Sequence, residues 1–303
     1  MSASQRTVHL ILNPAAGQGR AGRQLRRIIR ALHEDGCAVE EYVTARPMHA
    51  ATIARALPGD GAPLCVAGGD GTLNEVINGL RPGAHPIGIL PLGTGNDFAR
   101  VLGIRTMRNT LDALLRDNRK TVDAVCADVV DEEENPISRR FINALGIGFD
   151  AAVAVDVARR RFGSGILPYL LAVFRVLRHY RSVPSTTILQ NRELAASLFL
   201  ACIGNGTTSG GGFMLTPHAR VDDGVLDLCH VREVGIARVL QVLPRALRGT
   251  HIKVPEVTYH QGAHLDIHLA YPLPVHVDGE ILTHRARRVI ASCQPGVYSV
   301  YVP

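Results

Sequence analysis

A chain of 303 residues, 46% hydrophobic and 20% charged, is long enough for two cores and has the balance of an ordinary folded protein, which excludes disorder. A formal charge of +6 and a pI of about 9.2 call for an anionic partner. With no tryptophan and only 5% aromatics there is no platform for stacking bases, so nucleic acid is excluded in favour of a nucleotide or an acidic membrane surface.

Six scattered cysteines form neither Cys-x-x-Cys nor a Cys/His cluster at zinc-ligand spacing, and read as reduced and mostly buried. The apolar run 8–12 is too short for a signal peptide, and no run reaches the ~18 residues of a spanning helix, so the expectation is a cytoplasmic chain. Residues 7–12 read as a strand closed by Asn13-Pro14. The helix that follows sets Arg20, Arg23, Arg26, Arg27 and Arg30 against Leu25, Ile28, Ile29 and Leu32. Its basic face is either plainly solvated or turned toward phosphate or membrane. Gly17-Gln18-Gly19-Arg20-Ala21-Gly22 fits G-x-G-x-x-G, with Glu40 and Glu41 about twenty residues on. The spacing argues against a dinucleotide site, because Asn13 to Ala16 separate strand from glycines and the acidic pair falls inside the next strand, 38–43.

A helix at 48–57 and a buried strand at 63–67 lead to Gly68-Gly69-Asp70-Gly71-Thr72, then a helix at 72–80 with Leu73, Val76, Ile77 and Leu80 on one face. Glycines let backbone approach a bulky anion, and the amides of a helix start point at it, so this turn suits a phosphate, although such a turn can also be only a turn. A second strand, 86–90, runs into Pro91-Leu92-Gly93-Thr94-Gly95-Asn96-Asp97, with helices at 97–102 and 106–117. The βα alternation predicts an open parallel sheet with helices on both faces, and both loops leave its carboxyl edge. No Walker A pattern occurs, which excludes a P-loop kinase.

After Asn118 the pattern changes to short strands with Gly, Pro and Asp turns. Residues 121–130 and 140–147 read as a hairpin with a charged tip, and one helical interlude spans 150–182. Within it Arg159-Arg160-Arg161 and Gly163-Ser164-Gly165 precede an apolar run, 166–176, which is a core helix or an element meeting lipid headgroups. The expected domains are an α/β nucleotide-binding catalytic domain, 1–119, and an antiparallel β-sandwich, 120–303, whose extreme C-terminus packs back on the first domain.

Gly-Gly-Asp-Gly-Thr-Leu-Asn-Glu-Val-Ile-Asn-Gly-Leu followed by Pro-Leu-Gly-Thr-Gly-Asn-Asp-Phe-Ala-Arg resembles the catalytic domain of the diacylglycerol kinase family, especially its soluble bacterial lipid kinases. The resemblance covers nearly the whole chain. It implies an NAD kinase-like α/β domain, a lipid-substrate β-sandwich, ATP as phosphoryl donor, and Mg²⁺. By it Asn13 opens the first phosphate-side loop and Thr44 lies beside the nucleotide. Gly68, Gly69, Asp70, Gly71 and Thr72, with Thr94 and Asn96, would hold the phosphates.

Phosphoryl transfer needs phosphate donors, a divalent cation and a group that takes the acceptor's proton. Asp70 and Asp97 are the obvious metal carboxylates, with a helix cap as the plain alternative for Asp97. The resemblance adds Asp123 through water, and a structural Mg²⁺ on Asp223 and the carbonyls of Arg220 and Val225, where an Asp-Gly turn is the plain alternative. Asp278-Gly279 between strands is a hairpin signal. The resemblance makes the following Glu280 the base for the lipid hydroxyl. The expected reaction is phosphorylation of a membrane lipid, diacylglycerol first, at the inner face of an acidic membrane, with homodimerisation left open. The alternatives are another hydroxyl acceptor (a sphingoid base, another lipid, or NAD), or a nucleotide-sensing membrane-binding protein without turnover.

Overall fold

The computed structural model of the chain describes residues 6–160, 166–190 and 192–303. The chain divides into two units, Met1–Val122 with Gly296–Pro303, and Asp123–Pro295.

The first unit alternates strand and helix: β1 Arg6–Leu12, α1 Arg20–Glu34, β2 Cys37–Val43, α2 His49–Ala56, β3 Leu64–Gly68, α3 Asp70–Gly79, β4 Ile87–Pro91, α4 Asp97–Val101 and α5 Met107–Leu115. Its strands lie parallel in the order β2-β1-β3-β4. The fully buried runs of β3 and β4 explain why these strands read as continuous apolar stretches, since both faces are covered by helices. On α1 the apolar stripe Ala21, Ile28 and Leu32 is buried while Arg23, Arg26, Arg27 and Arg30 are exposed. Helix α3 begins two residues earlier than the expected position 72. Asp70 in its first turn complements the positive end of the helix dipole, which offsets the poor helix propensity of Gly71. The segment Gly296–Pro303 returns to this unit, where Val300 pairs in parallel with Ile87. Tyr298 and Tyr301 are fully buried there, and Tyr298 Oη donates to the Ile77 carbonyl at 2.7 Å.

The second unit takes up most of β5 (Arg119–Asp131) and β14 (Glu280–Tyr301). Between them come β6 Pro136–Phe141, β7 Ala144–Gly148, α6 Phe149–Arg160, α7 Ile166–Leu177, β8 Val183–Leu189, β9 Arg192–Leu198 and β10 Leu200–Gly204. These are followed by β11 Leu226–Val231, α8 Ile236–Ala246, β12 Val257–Gly262 and β13 His264–Val277. Pairing is antiparallel throughout, in the order β12-β11-β10-β7-β13. The long β13 pairs with β8 through Leu265–Leu269 and with β7 through Val275–Val277, so one strand serves both layers of the sandwich. Side-chain alternation then separates two cores. Leu145, Ile147, Ala201, Ile203 and Leu228 face the sandwich interior, whereas Ala144, Leu200, Cys202 and Cys229 face Val153, Val173, Leu177 and Val239 of the helices.

Two expectations for this unit are corrected. Residues 140–147 are not one strand: the chain leaves β6 at Phe141 and starts β7 at Ala144, because the amides of Asn143 and Ala144 turn to the Asp278 carboxylate. Helix is not confined to 150–182, since α8 adds a second helical stretch. Its Pro244 lies inside the helix, where it lacks the N–H that would bond the Leu240 carbonyl, and the helix ends two residues later. Arg161 and Gly163 to Gly165 lie outside the described residues. Among the described residues no helix is long and apolar enough to cross a membrane.

At Gly79 a Cβ would stand 2.0 Å from the Ala51 carbonyl oxygen of α2, which makes glycine the condition for α2 and α3 to touch. Gly79→Ala should therefore destabilise the protein by about 1–3 kcal/mol through overpacking. Urea denaturation reads this directly, and an unchanged midpoint would remove the close contact.

Candidate active site

At the carboxyl ends of β3 and β4 the two glycine loops meet backbone to backbone. The amides of Leu92 and Gly93 both donate to the Gly68 carbonyl, at 2.9 and 3.0 Å. A Cβ on Gly93 would lie 2.4 Å from the Gly69 Cα, and one on Gly68 would strike the Thr72 side chain at 2.6 Å. Glycine is thus demanded here by contact between chain segments.

Asp70 completes the junction. Its two carboxylate oxygens accept the amides of Asp97 and Phe98, at 3.1 and 3.2 Å, so a side chain at the start of α3 caps the start of α4. The residue in the N-cap position of α4, Asn96, makes no capping hydrogen bond. It sits in the left-handed region (φ 52°), and its amide group clasps both N–H and C=O of Gly93, at 2.9 and 3.0 Å. Asp97 is buried and pairs with Arg100 at 2.5 Å, and Arg100 also donates to the Gly95 carbonyl. A Cβ on Gly95 would meet Asp70 Oδ2 at 3.1 Å and Asp97 Oδ2 at 3.7 Å, so both carboxylates border the same small space. Oxygen donors arranged this loosely suit Mg²⁺, which keeps part of its water shell.

The loop after β1 closes the third side. Asn13 Nδ2 donates to Thr72 Oγ1 at 3.0 Å, and Thr72 is buried. Thr44, also buried, follows β2 and donates its amide to the Leu12 carbonyl. Gly17, at φ +59°, is where a Cβ would fall 2.2 Å from the Leu92 carbonyl, and Arg20 donates to the carbonyls of Leu92 and Gly93. The G-x-G-x-x-G match therefore serves to seat this loop against the second glycine loop. Thr94 is exposed at the tip of that loop. Asn13, Thr44, Gly68 to Thr72 and the 92–97 loop thus surround one edge of the sheet, with the first-turn amides of α3 directed outward, as helix starts leave them.

The remaining predicted residues belong to the second unit, in two groups. Asp123 is buried, and its carboxylate accepts the Gly224 amide at 2.7 Å, so it lies against the Asp222-Asp223-Gly224 turn. Asp223 accepts the Val225 amide, and Arg220 stands 3.7 Å from Asp222. Glu280 is exposed and opens β14 after a two-residue turn in which Asp278 and Gly279 both have positive φ, 47° and 86°.

A buried polar chain links these two groups, and sequence reasoning had missed it. Asn205 Nδ2 donates to the carbonyls of Asp123 (3.3 Å) and Ile142 (2.8 Å). The amides of Asn143 and Ala144 donate to Asp278 Oδ1 at 3.1 and 3.0 Å, and Asn143 Nδ2 donates to the Thr208 carbonyl. The usable signal was an asparagine beside glycine or alanine in otherwise apolar strands, Ile-Asn-Ala-Leu-Gly and Ile-Gly-Asn-Gly. Elsewhere in this unit an apolar cavity of about 90 Å³ opens between α8 and β10, lined by Phe149, Phe199, Leu215, Val239, Val242 and Leu243. Beside it Tyr180 packs edge-on against Phe149 and Phe199, and burial, with Asp150 nearby, pushes its phenol pKa up.

Residues 7–127 match the diacylglycerol kinase catalytic domain, and residues 143–302, more than half of the chain, match the YegS C-terminal NAD kinase beta sandwich-like domain. This protein belongs to the diacylglycerol kinase family. A diacylglycerol kinase of Mycobacterium tuberculosis (strain CDC 1551 / Oshkosh) is 30% identical over 282 residues, covering 90% of this chain and 88% of the relative. A crystal structure of a diacylglycerol kinase from Bacillus anthracis str. Sterne, 23% identical, superposes with a TM-score of 0.78 over 99% of this chain and 97% of that one. Yeast NADH kinase complexed with NADH shares the fold more distantly, at TM-score 0.52 and 12% identity, over 99% and 83% of the two chains. Family membership makes the chain a lipid kinase with ATP as phosphoryl donor, built as an α/β domain and an antiparallel sandwich.

Asp70 caps α4 through two amide bonds and asparagine keeps only one acceptor oxygen, so Asp70→Asn should lower stability by about 1 kcal/mol as well as nearly abolish turnover. Asp97→Asn lacks the capping duty and should melt closer to the parent while also losing activity. Urea unfolding alongside phosphoryl transfer separates the two effects. Parental stability in Asp70→Asn would refute the cap, and parental turnover would refute the metal carboxylate.

Proposed function

We propose that this lipid kinase moves the γ-phosphoryl group of ATP to the free hydroxyl of diacylglycerol, giving phosphatidic acid, at an acidic membrane surface. The observation that carries the catalytic half is the Asp70-capped contact of the two glycine loops. It puts the Asp70 and Asp97 carboxylates beside one small space, at the start of the helix on which Asn13 holds the Thr72 hydroxyl. The backbone of Gly68 to Thr72 and of the 92–97 loop binds and orients the phosphates, a task that needs no P-loop lysine. Asp70 and Asp97, with Asp123 through water, would hold Mg²⁺, which when bound neutralises phosphate charge. Asp223 and the carbonyls of Arg220 and Val225 would hold a second, structural ion.

Transfer itself is a displacement at phosphorus. The acceptor oxygen forms a bond to the γ-phosphorus, the bond from that phosphorus to the β–γ bridging oxygen breaks, ADP departs, and the hydroxyl proton passes to the Glu280 carboxylate. The Asp278-Gly279 turn and the amides it anchors fix the backbone that carries Glu280.

Two observations favour a lipid acceptor over NAD. The cavity under α8 has a mainly apolar wall and, at about 90 Å³, room for the end of an acyl chain. On α7, Leu171 and Phe174 are 48% exposed and Arg178 continues the same stripe, whereas Ala172, Val173 and Leu177 are buried. An apolar stripe ending in arginine suits the headgroup boundary of a bilayer.

Radiolabelled ATP offered with diacylglycerol, sphingosine and NAD in mixed micelles should label diacylglycerol most. Preferential labelling of another acceptor would displace this reading. Glu280→Gln should lower kcat by roughly 10²- to 10⁴-fold with ATP affinity nearly unchanged, while near-equal kcat in matched, folded samples would remove Glu280 from proton transfer. Sedimentation with acidic vesicles should weaken as salt shortens the screening length below about 8 Å, and salt-independent binding would refute the electrostatic component.

A further inference from the structure

Packing accounts for only one side of helix α8. Val239 and Ala246 are buried, and with Val242 and Leu243 they line the apolar cavity beneath the helix. At about 100° per residue, Ile236, Leu240 and Leu247 fall within roughly 40° of one another on the adjoining side, and Ala237 and Pro244 widen that sector to about 100°. All five are exposed, Ile236 at 50%, Leu247 at 44% and Leu240 at 38%. Gln241, Arg245 and Arg248 come next around the axis and are exposed as well. A helix of a water-exposed surface turns polar residues away from its core. Here apolar residues take more than half of the circumference.

The exposed stripe also has a sign. Between Glu233 and Glu256 the sequence carries Arg238, Arg245, Arg248 and Lys253 and no acidic residue. Arg238 is committed to Glu256, to which it donates at 2.8 and 3.1 Å. Arg245 and Arg248 form no ion pair among the described residues. Helix α7 repeats the pattern beside it. Val173 and Leu177 pack with Val239 over the same face of the sheet, so the exposed Leu171 and Phe174 look away from that face as the α8 stripe does.

Single exposed leucines need no explanation, but a stripe that adjoins an apolar cavity and is bordered by free arginines does. A second copy of the chain is a poor occupant. Across a two-fold axis it would bring its own Arg245 and Arg248 and no carboxylate of this stripe to face them. A bilayer containing anionic lipid supplies both halves, hydrocarbon for the stripe and phosphate for the arginines.

We propose that α8 is a membrane-docking helix, lying in the plane of an acidic bilayer with Ile236, Leu240 and Leu247 below the headgroups and Arg245 and Arg248 among the phosphates. The docking role rests on the reading that the acceptor is a membrane lipid, and it names an element that meets the bilayer. The cavity lies on the inner side of the docked helix, beside the stripe that touches lipid.

The chain has no tryptophan, so Leu240→Trp places a single reporter in the stripe. With vesicles of phosphatidylglycerol and phosphatidylcholine its emission should shift to the blue, and lipids brominated along the acyl chain should quench it. Leu240→Glu and Leu247→Glu, both at exposed positions, should each weaken vesicle binding at least about 10-fold and keep the parental melting midpoint. Arg245→Gln combined with Arg248→Gln should weaken binding to the acidic vesicles and leave binding to pure phosphatidylcholine unchanged. An unshifted reporter on vesicle-bound protein, or parental binding in both glutamate variants, would overturn the docking role. A blue shift that grows with protein concentration without vesicles would overturn it too, by placing a second copy on the stripe. Failure to phosphorylate diacylglycerol with the reporter still shifted would remove the acceptor and leave the docking helix standing.

Discussion

The first unit depends on one carboxylate. Asp70 accepts two amides from the start of α4 while standing in the first turn of α3, so the two glycine loops cannot move apart without exposing helix-start N–H groups. Backbone contact between Gly69 and Gly93 brings the loops close, but such contact has no direction. The carboxylate supplies direction. The same carboxylate that caps the helix borders the space beside Gly95, so one position faces both a helix start and an oxygen-lined space. A carboxylate offers one oxygen to each of the two amides, where a serine or an asparagine has a single acceptor atom.

In the second unit the corresponding work is spread over amides. Asn205, Asn143 and Asp278 tie the Asp123 strand, the break between β6 and β7, and the Glu280 turn into one hydrogen-bonded group. The donors of this set are engaged, and each such bond is electrostatically stronger in a buried setting than in water. Two carboxylate-bearing turns are thereby fixed relative to each other within that unit.

Much of this was legible in the sequence. The βα alternation, the glycine loops, the Asp-Gly turn and the change to an antiparallel pattern after Asn118 are local signals, each carried by residues that act on their own backbone. What escaped was decided by partners far away in the chain. Nothing near Asp70 says that it caps a helix 27 positions on, nor does the neighbourhood of Arg20 say that it reaches carbonyls 72 and 73 positions away. The break at Ile142-Asn143 is imposed by Asp278, more than a hundred residues later. Helix α8 is obscured locally, since Pro244 within it lacks the N–H that a helix interior requires.

The return of Gly296–Pro303 to the first unit has a consequence for biogenesis. This segment leaves the ribosome after all of Asp123–Pro295, yet it supplies the strand beside β4 and two wholly buried tyrosines. The sandwich unit, by contrast, has its two ends gathered at Gly224, which donates to Asp123 and lies beside Pro295. A later unit with joined ends can close its core while the earlier one still lacks an edge, reversing the usual order in which N-terminal domains finish first. The strand beside β4 thus becomes available to the first unit only after Asp123–Pro295 has been made.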